Sequence, residues 1–211
     1  MRKIFQLILA AVIFGLVYLI YVLISTPISF DNDRAQIESK VVERIKDIRL
    51  AERAYKSKYS EFTDDFDKLI NFVLNDSLEM TRKIVDEDDS LAMANLLRSG
   101  RKNVESFYVA VIDTVFSPRK LSVADIKNLR YVPTKEGQTE YTLAAGKITT
   151  ESKVVVPIVE CKVPYIQYLD TVAYRQEIIN LIDNDVNNYN KYPGIKFGSM
   201  EGGNNEAGNW E

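Results

Sequence analysis

The sequence predicts an α+β fold: an N-terminal transmembrane helix continuing into an amphipathic helix, then a small antiparallel sheet with packed helices. Three observations predict it. An uncharged apolar run opens the chain, apolar residues spaced by threes and fours follow it, and the second half carries β-branched and aromatic runs separated by turn residues. Four segments follow from the same reading: residues 1–30 as cytoplasmic stub, signal anchor and short linker; 31–75 as stalk helix and helical hairpin; 76–197 as an α+β periplasmic domain; and 198–211 as a flexible Gly/Asn-rich tail.

The first element is the anchor. From Ile4 to Ile24 the chain reads "IFQLILAAVIFGLVYLIYVLI", without a charge. At about 1.5 Å per residue this run spans a hydrocarbon core of roughly 30 Å. A cleaved signal peptide is the competing reading, but its apolar region is shorter and ends at a small-residue cleavage site, whereas this run leads into "STPISFDND". Arg2 and Lys3 precede the run, and Asp31 and Asp33 are the first charges after it. The positive-inside rule therefore puts the N-terminus in the cytoplasm and the rest of the chain outside, in the periplasm of a bacterium with two membranes.

The second element is the stalk. Pro27 is expected to end the apolar run, after which Ile37, Val41, Ile45, Ile48, Ala51 and Tyr55 share one helical face. The opposite face carries mixed charge. This stripe must bury itself either on the same chain or on other helices of an assembly. If it is an interface, Ile37, Val41, Ile45 and Ile48 are its candidate residues, being closest to the membrane, and glutamate at Val41 and Ile45 is expected to abolish complex formation without unfolding the domain. "KSKYSEF" then breaks the pattern, and Thr63 with Asp64 and Asp65 supplies an N-cap and acidic first turn for a helix through Phe66, Leu69, Ile70 and Val73. Tyr59 and Phe62 are expected inside this corner.

The corner carries a resemblance. "IRLAERAYKSKYSEF", with Ala51, Ala54, Tyr55, Tyr59 and Phe62, resembles the helix end and aromatic turn of type IV pilins and type II secretion pseudopilins over the first third of the chain. The resemblance implies a pilin-like fold and a secretion-related or envelope assembly. Pilins also have a prepilin-peptidase site, a glycine before a phenylalanine with a glutamate shortly after, and this N-terminus has neither, so processing and polymerisation of that kind are not implied. The ending "YPGIKFGSMEGGNNEAGNWE" is similar to that of an uncharacterised bacterial membrane-protein family, which implies no activity.

In the distal half, Leu78 to Lys102 reads as polar and irregular. Its acidic run Asp86, Glu87, Asp88 and Asp89 lacks the alternating ligands, glycine and closing glutamate of an EF-hand loop, and is expected to be a solvated loop. "SFYVAVIDTVF", "LRYVP", "TEYTLAAG" and "KVVVPIVECKV" read as strands, with a hairpin from Leu129 to Ala145 turning at Gly137. Pro157 makes the last strand an edge or a bulged one. A helix through Ile178, Ile179, Leu181 and Ile182 ends at Tyr-Pro-Gly.

Composition narrows the function. The chain has no histidine and one cysteine, Cys161, which removes His-based triads, HExxH sites, Cys/His zinc sites and an internal disulfide framework. Cys161, in an apolar run, reads as a small core residue. A formal net charge of -3 gives no basic field for nucleic acid. No Walker loop, GxSxG or SxxK motif occurs, so no catalytic, cofactor-binding or metal-ligating residue is assigned and no cofactor is expected. Two readings remain: a non-catalytic single-pass structural or assembly component of an envelope complex, with the membrane and other envelope proteins or its own copies as partners; or a membrane-tethered periplasmic domain that binds a ligand or peptide, for example by β-augmentation.

Overall fold

A computed structural model describes residues 2–86, 88–117, 119–134 and 138–211. It is a mixed helix-and-sheet protein: a long apolar N-terminal helix, then small antiparallel sheets. Helix α1 runs from Arg2 to Tyr59 without interruption and includes Pro27. The expected linker at Pro27 is thus corrected. Proline removes one N–H from the ladder, and near it the hydroxyl of Thr26 donates back to the carbonyl of Val22 at 2.9 Å. The most apolar window of α1 has a mean hydropathy of 2.9 and none of it is buried by the rest of the chain, so this helix is long and apolar enough to cross a membrane.

The C-terminal half of α1 is the spine of the core. Val41, Ile45, Ile48 and Ala51 are fully buried, and Ile37 and Tyr55 pack at the edges of the same cluster. Helix α1 stops at Ser60, whose φ of 59° reverses the chain, and α2 (Phe66–Asn75) follows. Its N-cap is Asp65, which accepts from the Asp67 N–H at 2.8 Å, and not Thr63 as expected. Thr63 is used one step earlier, its hydroxyl accepting from the Asp65 N–H at 3.2 Å. Phe62 packs inside the corner, whereas Tyr59 is half-exposed and stacks its ring against Tyr55 and Phe72.

Strand β1 (Ser77–Arg82) and helix α3 (Ser90–Arg98) occupy the stretch expected to be irregular, and strand β2 (Glu105–Ala110) covers the first part of the strand expected from Ser106. The strands pair antiparallel from Ser77↔Ala110 to Arg82↔Glu105. The expected strand through Phe116 ends at Ala110, where the chain turns into α4 (Val111–Val115). That turn buries Val111 and Phe116 and packs α4 on α2. Burial outweighs the β preference of the segment. Helix α5 (Val123–Lys127) begins with a capping box between Ser122 and Asp125.

The main sheet contains β3 (Thr142–Thr149), β4 (Val155–Pro164) and β5 (Gly194–Gly198) in the order β3-β4-β5, all antiparallel. The Leu129–Ala145 hairpin is reduced to a single bridge, Tyr131↔Glu140, and its Gly137 lies outside the described residues. β3 pairs with β4 instead. Pro157 pairs with Lys147 in the half of β4 that β5 does not reach, since β5 pairs only with Glu160–Pro164. The strand is central at one end and an edge at the proline. Between β4 and β5 come α6 (Tyr165–Tyr168), α7 (Arg175–Asp183) and a π-helical turn, Asn184–Asn188.

The C-terminal segment is docked, which corrects the expected flexible tail. The Gly198 N–H donates to Ala207 at 3.0 Å, and Asn209 exchanges bonds with Lys196 and Gly194. Arg49 pairs with Glu211 at 2.6 Å and lies over the Trp210 ring, while Arg53 and Lys56 both reach Glu206. Two of the tail's three acids, Glu206 and Glu211, face the basic side of the spine, an attraction that composition alone does not reveal.

Candidate interaction surface

The stalk residues named from the sequence do not form a free surface. Val41, Ile45 and Ile48 are fully buried by the chain's own domain, and Ile37 is partly buried. The physical reason is the corner at Ser60: it folds the rest of the chain back along α1, so the domain covers the stripe almost to the apolar end of the helix. Tyr174 of the domain packs on Phe30, the first buried residue of α1 after its apolar segment, with ring centroids 5.4 Å apart.

Two buried acids sit on the spine. Glu52 is fully buried; its Oε2 accepts the Thr63 N–H at 3.2 Å, and its Oε1 has no partner. Burial, with Asp64 nearby, pushes its carboxyl up to about 8. Asp47 is 2% exposed and takes Arg119 at 2.6 Å, while the same guanidinium reaches Glu43 at 2.6 Å. Burial nonetheless holds Asp47 up at about 6. Beside them Arg44 donates to the carbonyl of Asn128 at 2.7 Å. This cleft, lined also by Lys40, Asp125 and Pro133, fastens the segment between α4 and α5 to α1. Among the described residues no group of three or more His, Cys, Asp or Glu could hold a metal ion. Cys161 is fully buried in β4, and burial pushes its thiol well up, which disfavours the thiolate.

The surface that sequence reasoning missed is an arm, Ser77–Ala110. No described residue of it is buried. Leu91 is 80% exposed, Leu97 71% and Tyr108 72%, with Val104 and Phe107 also exposed. Scattered exposed apolar groups are ordinary; this arm carries these five on a short unit. The arm is nonetheless ordered internally. Asp89 caps α3 by accepting from the Ala92 N–H at 3.0 Å, and the Asn103 amide bonds both to the N–H and to the carbonyl of Val85. Arg82 pairs with Glu105 at 2.8 Å.

Its root is fixed. Asp76, at the end of α2, binds the ammonium of Lys58 and the hydroxyl of Tyr59, and its carbonyl accepts from Val111 where β2 ends. The arm is therefore carried on the tip of α1, the end farthest from its apolar segment. The signal in the sequence was the spacing of Leu91, Met93, Leu96 and Leu97 between acidic and basic residues, which is an amphipathic turn pattern too short to stand out. No protein-family model matches the chain, and no curated protein or solved structure matches it either.

Proposed function

We propose that this chain is a non-catalytic single-pass membrane protein serving as a structural or assembly component of a bacterial cell-envelope complex, with the Ser77–Ala110 arm as its docking element. The observation that carries the reading is the arm: a unit with no buried side chain among its described residues, which presents Leu91, Leu97 and Tyr108 to solvent and is fixed at its root to the far end of a membrane helix. Apolar side chains held in this way gain by association with another surface. In this reading the N-terminus is cytoplasmic, because Arg2 and Lys3 precede the span and acids follow it, and the domain lies in the periplasm.

A pilin-like, secretion-related role is the finer version of the same proposal. It is supported by the continuous α1, with its outer half laid along a domain that contains an antiparallel sheet. The N-terminus lacks the processing motif, so the chain acts beside such a system without polymerising through it.

The test is crosslinking and mass spectrometry of the full-length protein extracted gently from its native membrane, compared with the L91D/L97D variant. A large complex in the native protein that dissolves in the variant supports the reading; a monomer in both overturns it. The second reading, a tethered peptide binder, is favoured by β3, which has β4 as its single strand neighbour among the described residues. A lone monomer that captures an extended peptide along Thr142–Thr149 would establish that reading instead.

A further inference from the structure

The turn Asp170–Tyr174 packs on Phe30, the first buried residue of α1 after its apolar segment. Tyr174 stacks on Phe30 and its hydroxyl donates to Asp33 at 2.6 Å. The turn is rigid: the Asp170 side chain accepts from the Val172 and Ala173 N–H groups at 2.9 and 3.1 Å, and the Tyr174 N–H returns to the Asp170 carbonyl at 3.1 Å. At its tip stands Val172, 92% exposed, the most exposed large apolar side chain among the described residues. A stiff turn ordinarily presents a polar tip to water; here it presents a β-branched apolar one.

The geometry sets where this tip lies. Helix α1 is continuous from the span through Phe30, so at about 1.5 Å per residue Phe30 stands roughly 9 Å beyond Ile24. The headgroup layer of one leaflet is roughly 5–8 Å thick. The contact between Phe30 and Tyr174 therefore falls at the outer margin of the headgroups, which puts the exposed Val172, two residues from Tyr174 in sequence, within a few ångströms of that margin. The groove beside the turn carries both signs of charge, Asp33 and Asp170 with Arg34 and Lys40, together with the apolar Phe30 and Leu169. That mixture suits a zwitterionic headgroup better than an anionic one.

We infer that the Asp170–Tyr174 turn is a second membrane contact, in which Val172 lodges in a zwitterionic phospholipid headgroup layer continuous with the α1 span and so sets the orientation of the domain on the bilayer. The inference rests on the membrane reading of α1. Its consequence is that the arm at the other end of α1 is held out at a defined angle.

The experiment uses the full-length chain in phosphatidylcholine nanodiscs, with single nitroxide labels at L16C in the span, T171C in the turn and L97C in the arm; Cys161 is fully buried, and the unsubstituted protein sets the labelling background. The readout is the ratio of collisions with oxygen to collisions with a polar nickel chelate. T171C is expected to read between L16C and L97C, and V172D in the same background is expected to raise its nickel access several-fold toward that of L97C. If T171C matches L97C while L16C reads lipid, the turn does not touch the membrane and the inference falls alone. If L16C reads water, the span itself fails and the inference falls with it. If V172D leaves T171C unchanged at an interfacial value, the turn touches lipid without Val172, which overturns the role assigned to that side chain.

Discussion

The backbone N–H of Thr63 donates to the Glu52 carboxyl at 3.2 Å in a place that water does not reach. This bond joins the spine helix to the turn that reverses the chain, and it uses an acid where an amide would serve. Burial is the dominant cause of the elevated pKa, and it makes the charged form the unfavourable one.

A pH dependence follows. The Glu52 carboxyl has an ordinary value of 4.5 and a folded value of about 8, so between those values the unfolded chain has released a proton that the folded chain keeps. Stability from this group is fully present below about 4.5 and is lost progressively as pH rises to about 8, by roughly 3–5 kcal/mol. Asp47, raised to about 6 by burial, adds in the same direction over the lower part of the window. E52Q keeps an acceptor for Thr63 and is expected to flatten the slope, matching the native protein near pH 5 and exceeding it near pH 8. Urea midpoints across that range decide it; parallel slopes for the two proteins would show that Glu52 is not the titrating group.

The Arg119 guanidinium spans Glu43 and Asp47. R119A removes the cation paired directly with the buried Asp47 carboxylate and should cost roughly 3–5 kcal/mol. D47N in the R119A background should restore much of that loss, because the uncompensated charge is gone. A double-mutant cycle in thermal unfolding measures the coupling, and additive losses would contradict the pairing.

The spine and the arm should respond in opposite ways to acids. V41E/I45E places two carboxylates in a fully buried stripe and is expected to unfold the domain, contrary to the outcome anticipated for a free stalk. L91D/L97D alters side chains that are 80% and 71% exposed and should change stability by no more than about 0.5 kcal/mol. Circular dichroism with proteolysis separates the two cases, and a folded V41E/I45E domain would refute the packing of α1.

The tail should matter to stability. W210A removes a ring packed against the core beneath Arg49 and should cost roughly 1–3 kcal/mol. G198A should cost as much or more, since φ at Gly198 is +74° and an added Cβ would stand 1.9 Å from the Val159 carbonyl oxygen. Denaturant titration of both variants checks the docking; native-like midpoints would mean that the tail is dispensable.

Local pattern was enough for the elements whose signal lies in consecutive residues. The uncharged run from Ile4 to Ile24 determined the apolar helix, and the spacing of Val41, Ile45 and Ile48 determined which face of it is buried. Pro157 correctly marked where β4 lacks a second neighbour. What the sequence left open was which surfaces meet, because contact depends on where the chain reverses. The corner at Ser60 chose the chain's own domain to cover the stripe, the acids of the tail found the arginines of α1 across a long separation in sequence, and β2 gave way to α4 so that Val111 and Phe116 could be buried. The arm was invisible for the complementary reason: its apolar residues are scattered through a polar stretch, and only the folded chain shows that Leu91 and Leu97 stay exposed on it.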